Sequence, residues 1–322
     1  MFRSALLVCT ILVPLIAQTQ IEWSSNFDNC YSFSSPRTSD LNNDGVLDVI
    51  LGAGIDGTPV DNGYIAINGV NGEALWTLPA LDQIYGSATF LHIDNDGVSD
   101  IILAGRNANL KAINGSTGET IWDFYDDPDV PPGDLNYWNF YNSQTIPDQD
   151  GDGIDDILIA NGGNAELPIF ELDRPPGHIM VISGASGAEL AFAEVPDGKE
   201  TYMSPLILDI DEDGALDVIY GTGGEFIEGS LWRTTLDAVM ANDISQSVAI
   251  LTSESNGFIA PPSLVDLNLD GTIDIVVNAY DGRVVALSGV DNSVIWSIDV
   301  PGSETNSSPA IGFFNDDNIP DV

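Results

Sequence analysis

Short runs of β-branched and aliphatic residues alternate along this chain with turns rich in glycine, asparagine and aspartate. Val49-Ile50-Leu51, Ile101-Ile102-Leu103, Ile157-Leu158-Ile159, Val218-Ile219-Tyr220 and Ile275-Val276-Val277 each follow an aspartate-rich loop. A Gly/Asn turn and a second run come next, closed by tight turns at Asn68-Gly69, Asn114-Gly115, Ser183-Gly184 and Ser288-Gly289. A third run carries Trp76, Trp122 or Trp296, with Ala191-Phe192 in the third copy and no recognisable match from Leu236 to Ile250. A fourth leads into the next loop, with Ser35, Ser87, Ser143, Ser204 and Ser308 each at the same distance before it and Pro261 in the fifth copy. Runs this short, rich in branched side chains and bounded by glycine, predict strands, and no sustained helical period competes.

The unit repeats from Asp40, His92, Asp148, Asp209, Asp266 and Phe313, at spacings of 52, 56, 61, 57 and 47 residues. Four strands per period of about 50 residues predict an all-β fold, a β-propeller of four-stranded blades, with five full repeats and the start of a sixth. A stacked β-solenoid is the alternative, and coils of this length disfavour it.

In the five full loops an Asp or Asn stands at positions 1, 3, 5 and 9, with one exception at position 1; glycine holds position 6, and position 7 offers a backbone carbonyl. The first set is Asp40, Asn42, Asp44, Val46 and Asp48; the second is Asp94, Asp96, Val98 and Asp100, with His92 at position 1. The third is Asp148, Asp150, Asp152, Ile154 and Asp156; the fourth is Asp209, Asp211, Asp213, Ala215 and Asp217. The fifth is Asp266, Asn268, Asp270, Thr272 and Asp274. Alternate oxygens turned inward by a tight loop are hard donors that select Ca²⁺. About five calcium sites are expected, the second weaker because histidine is a poor ligand for that ion. An EF-hand starts the same way but needs an acid at position 12 and flanking helices. Leu51, Leu103, Ile159, Tyr220 and Val277 hold that place, inside the predicted strands.

The loops resemble those of FG-GAP and VCBS-type repeats, the integrin-α-like propellers, from about Ser34 to the C-terminus. That resemblance implies calcium in each loop of a seven-bladed ring, so the chain is expected to be truncated or to close by other means. The Asn-Gly-x-x-Gly-Glu-x-x-Trp segments at Asn68–Trp76 and Asn114–Trp122 are also similar to quinoprotein-type propellers. There the tryptophans dock neighbouring blades, which implies a structural role for Trp76, Trp122 and Trp296.

Eight basic residues face 50 acidic ones, a net charge of −42. Such a surface repels phosphate backbones and excludes nucleic acid as a partner. With 43% of residues hydrophobic, a packed core is still available. The N-terminus reads as a signal peptide over residues 1–17: a basic start, an apolar stretch from Ala5 to Ile16, then small Ala17. It is too short to span a bilayer and no later segment is long enough, so a secreted or cell-surface protein without a membrane span is expected. Cys9 would leave with the leader, and Cys30 would then have no intrachain disulfide partner.

Three stretches interrupt the repeat, at 126–142, 161–177 and 221–234, and carry aromatics such as Tyr137, Trp138, Phe140, Tyr141, Phe170 and Trp232. Insertions on a rigid scaffold commonly carry function. Only two histidines are present, and no nucleophile elbow, zincin helix or phosphate loop appears. The sequence therefore favours a binding, adhesion or scaffold module for an unidentified protein or glycan, with further domains possible. A polysaccharide-active enzyme is the alternative, and Asp134, Glu166, Glu171 and Glu225 are its candidate acids.

Overall fold

A computed structural model describes residues 22–28, 30–124, 135–164, 167–168 and 170–322. The expected leader, including Cys9, lies outside the described residues. The described chain forms five four-stranded antiparallel sheets, each a meander in chain order. The first holds β1 (Arg37–Ser39), β2 (Asp48–Gly52), β3 (Val60–Ile67) and β4 (Ala74–Ala80). The second holds β5 (Thr89–Leu91), β6 (Asp100–Ala104), β7 (Leu110–Ile113) and β8 (Thr120–Asp123). The third holds β9 (Gln144–Ile146), β10 (Asp156–Asn161), β11 (His178–Ile182) and β12 (Glu189–Glu194). The fourth holds β13 (Leu206–Leu208), β14 (Asp217–Gly221), β15 (Gly229–Thr235) and β16 (Val248–Ser253). The fifth holds β17 (Ser263–Val265), β18 (Asp274–Asn278), β19 (Arg283–Leu287) and β20 (Val294–Asp299).

Each of the five full aspartate loops is followed by a strand, and position 12 lies inside it each time, as the strand pattern predicts. The second strands β6, β10, β14 and β18 are buried on successive residues because both their faces are covered. Ile101 and Leu103 pack with Ile50, Ala66 and Trp76 of the first sheet. Ile102, between them, packs with Ile157 and Ile159 of the third. β2 instead alternates, and its Val49 and Leu51 side meets Trp23, Phe27 and Cys30 from the N-terminal segment.

The tryptophans lock sheet to sheet. Trp76 Nε1 donates to the Gly115 carbonyl at 2.9 Å, and Trp122 Nε1 to that of Gly184 at 2.9 Å. A Cβ on Gly118 or Gly187 would run into those indoles, which is why glycine stands there. The recurring serines tie the first strands together: Ser87 Oγ accepts from Ser35 N–H, and Ser204 Oγ from Asn142 N–H.

The fourth copy departs from the pattern because its third and fourth strands are joined by a short helix, α1 (Leu236–Met240), instead of a glycine turn. The Thr235 side chain caps it by accepting from Ala238 N–H, and Leu236 and Val239 are buried beneath it. No helix among the described residues is long and apolar enough to cross a membrane.

Candidate functional site

An antiparallel meander places its first and third turns at one end of the sheet and its second turn and exit at the other. The aspartate loops, joining first to second strands, therefore gather at one end. Position 9 opens each second strand and is deeply buried: Asp48, Asp100, Asp156 and Asp274 show no exposed surface and Asp217 is 7% exposed. Its Oδ2 accepts from the N–H of loop position 2 in all five, at 2.6–3.0 Å. Its Oδ1 accepts from the turn glycine of the same sheet for Asp48, Asp156 and Asp274, through Gly69, Gly184 and Gly289. In the second loop Asp100 Oδ1 is buried without a partner, and burial raises this carboxyl above its usual range.

The remaining loop oxygens also converge. Asp40, Asp148, Asp209 and Asp266, at position 1, accept from backbone N–H groups around position 6. Asp44, Asp96, Asp152, Asp213 and Asp270, at position 5, each accept from position 7 at 2.7–2.8 Å, from Val46, Val98, Ile154, Ala215 and Thr272. Asn42, Asp94, Asp150 and Asn268 at position 3 each accept from position 5. Gly45, Gly97, Gly153, Gly214 and Gly271 at position 6 all have φ between +86° and +95°, the left-handed bend that glycine tolerates. His92 turns its Nδ1 to the Val98 carbonyl at 3.1 Å, so it closes the second loop without adding a carboxylate. Two loops bring three carboxylates within 4.8 Å of one another: Asp148, Asp150 and Asp156, and Asp209, Asp211 and Asp217. The latter set also holds the Arg233 guanidinium, 2.7 Å from both Asp211 and Asp217.

The opposite end of the sheets is concave. A cavity of about 580 Å³ is lined there by residues of the connections between second and third strands and between successive sheets. All three insertions reach it, through Tyr141 of the first, Arg174 of the second and Glu225 of the third. Of the four candidate acids, Glu225 lines the cavity, Glu171 is exposed on the second insertion, and Asp134 and Glu166 lie outside the described residues.

Glu200 and Tyr202, which no sequence pattern marks, form the floor of this cavity with Arg174. The Arg174 and Glu200 side chains are each 4% exposed and form an ion pair. Tyr202 donates its hydroxyl to the same Glu200 oxygen and accepts from Arg174 Nη2 at 2.9 Å. Burial raises the Glu200 carboxyl above its usual range against the opposing pull of these donors. Burial also pushes the Tyr141 and Tyr202 hydroxyls well up, so both stay protonated donors. The rings of Tyr141 and Tyr202 meet edge to face at 5.9 Å, and Arg106 lies 4.9 Å over the Tyr85 ring.

Arg106 also lines an adjoining, smaller cavity of about 370 Å³ with Asp56, Asp82, Asn107, Asn136 and Asn139. Arg106 Nε, Asn107 Oδ1 and Asn139 Oδ1 are buried there without hydrogen-bond partners. Asp82, whose carboxyl is raised by burial, accepts from Gly57 and Gln83 N–H.

Repeated four-stranded antiparallel meanders, packed face to face by inter-sheet tryptophans, make this an all-β protein of the β-propeller class. A model of the FAM234A/B beta-propeller family matches residues 23–322, and the chain belongs to that family. Protein FAM234B of Mus musculus is 23% identical over 97% of this chain and 52% of its own length. Protein FAM234A of Homo sapiens is 22% identical over 71% of this chain and 45% of its own. The chain thus spans about half the length of the curated relatives it matches. Among solved structures, quinohemoprotein alcohol dehydrogenase ADHIIG from Pseudomonas putida HK5 is similar with a TM-score of 0.55. It is 12% identical over 87% of this chain and 44% of that one, a likeness of fold alone.

Proposed function

We propose that the protein is a secreted or cell-surface binding module whose sheets are clamped by calcium at one end and whose concave opposite end takes a glycan. The observation that carries this reading is the convergence of all three insertions on one cavity. The meander sends all three to the same end of the sheets, and there they close around one cavity; a rigid scaffold that presents loops together is a usual way to build a ligand site.

The lining suits a polyhydroxylated ligand. Tyr85, Tyr141 and Tyr202 offer ring faces and hydroxyls, and aromatic faces cover the apolar side of a sugar. Arg106, Asn107 and Asn139, which line the adjoining cavity, carry donor and acceptor groups of the kind that bind sugar hydroxyls. A concave site also suits a chain of small units better than the flat face of a folded protein.

The calcium half of the reading rests on the donor set. Loops one, three, four and five present oxygen at positions 1, 3, 5, 7 and 9, the spacing shared with FG-GAP and VCBS-type repeats. Hard oxygen donors at this density fit Ca²⁺, and extracellular modules of this kind bind it at about 10⁻⁴–10⁻³ M. The ion would neutralise carboxylates that otherwise repel one another and so stabilise the fold.

A glycan array probed with the full chain in millimolar calcium tests the proposal. Binding should appear and weaken about tenfold in Tyr141→Ala and in Arg106→Ala, as expected for buried anchors. Binding unaffected by both substitutions would place the ligand elsewhere. A second reading, a polysaccharide-active enzyme, is favoured by Glu200 and Glu225 lining the same cavity, one of them with a raised carboxyl. Hydrolysis or elimination products from a bound glycan would establish that reading instead.

A further inference from the structure

We infer that the fourth aspartate loop carries its own cation, Arg233, and holds its shape without a metal ion. The inference rests on the calcium reading of the other loops.

Arg233 lies on β15 opposite Ile219 of β14. At the same register the other sheets place Ala66, Ala112, Val181 and Ala286, all small and buried. In the first two sheets the outer-strand neighbour of that alanine is Trp76 or Trp122. The fourth sheet exchanges the pair: a large residue on the third strand and Val248 on the outer one. The guanidinium then does what two groups do elsewhere. Its Nη1 donates to the Gly289 carbonyl of the next sheet at 3.2 Å, the bond made by tryptophan Nε1 to Gly115 and Gly184. Its Nε donates to Asp217 Oδ1 at 2.8 Å, the place filled by a turn-glycine N–H at Asp48 and Asp156. In the fourth sheet that glycine turn has been replaced by α1.

The same side chain enters the loop. Nη2 stands 2.7 Å from Asp217 Oδ2 and 2.7 Å from Asp211 Oδ2, so position 9 is held in a two-pronged contact and position 3 is drawn to the same nitrogen. A calcium ion bound by these carboxylates at about 2.3–2.6 Å would sit against a fixed positive charge. The arginine side chain is 10% exposed, and its withdrawal would leave Asp217 Oδ1 and the Gly289 carbonyl without this donor. The carboxylates of Asp148, Asp150 and Asp156 also lie within 4.8 Å of one another, and no ion pair joins them to a basic side chain among the described residues. Arg233 is the basic group that sets the fourth cluster apart from the third.

Counting bound calcium on the full chain by equilibrium dialysis, with matched position-5 variants, tests this. Asp152→Asn in the third loop should lose one equivalent relative to the parent protein. Asp213→Asn in the fourth, a residue that does not touch Arg233, should lose none. Arg233→Met should gain one. Loss of an equivalent in Asp213→Asn, equal to that in Asp152→Asn, would overturn the assignment of Arg233 while leaving the calcium reading intact. Absence of calcium from the parent protein and all variants would overturn both.

Discussion

The two ends of the sheets are built on opposite principles. At the loop end most bonds stay within one loop: position 1 to the backbone near position 6, position 5 to position 7, position 9 to position 2. Asp40 and Gly45, or Asp148 and Gly153, are five residues apart. At the cavity end the deciding contacts cross the molecule. Arg106 pairs with Asp56, 50 residues away, and Tyr137 meets His178 across 41. The loop end repeats because its geometry is contained in each copy. The cavity end varies because nothing local constrains it, and the insertions accumulate there.

Removing a partner from the cavity end should have the largest effect. Arg174 and Glu200 are both almost fully enclosed, and Arg174 also holds the second insertion through the Asn164, Leu167 and Pro168 carbonyls. Arg174→Ala leaves a buried carboxylate unpaired and should cost about 3–5 kcal/mol in denaturant melts, with calcium stoichiometry unchanged. A loss of bound calcium in that variant would show that the two ends are coupled.

Chelation should act on the loop end. Each of these sites held at a tenfold excess over its Kd contributes about 1.4 kcal/mol, which EDTA removes. Hydrogen exchange should then speed up in the loops at 40–48, 148–156 and 266–274 and stay slow around Glu200 and Tyr202. A thermal melt that does not move on chelation would count against bound ions.

A smaller effect is expected from pH at the cavity end. His178, stacked on Phe192 at 3.7 Å, is buried, and burial lowers its pKa from 6.5 to about 4. The unfolded chain therefore takes up this proton first as pH falls. Stability present above pH 6.5 should be lost progressively down to about pH 4, and His178→Gln should flatten that slope in melts followed across this window.

The strands and loops could be read from residue order because their signals lie within a few positions of one another. Asp-x-Asp/Asn-x-Asp-Gly before Val-Ile-Leu specifies a tight turn into a strand wherever it occurs. Tryptophans such as Trp122, a fixed distance past their turn, carried the sheet-to-sheet docking in the same way. Glu200, Tyr202 and Arg233 gave no such signal. Glu200 and Tyr202 sit outside every interruption of the repeat, Arg233 sits within the one at 221–234, and the partners of all three are brought to them only by packing. The helix at Leu236–Met240 was equally silent, being too short to show a period and owing its cap to a single threonine.

Residue order alone determined the repeat, the all-β class and the oxygen-rich loops, because these depend on backbone preferences and on side chains reaching only their near neighbours. Tertiary structure alone decided that three unrelated insertions share a cavity, that Glu200 is enclosed beside Arg174, and that an arginine stands among the carboxylates of one loop. Those outcomes depend on which surfaces face each other once the sheets have stacked, a matter of long-range packing that no local spacing encodes.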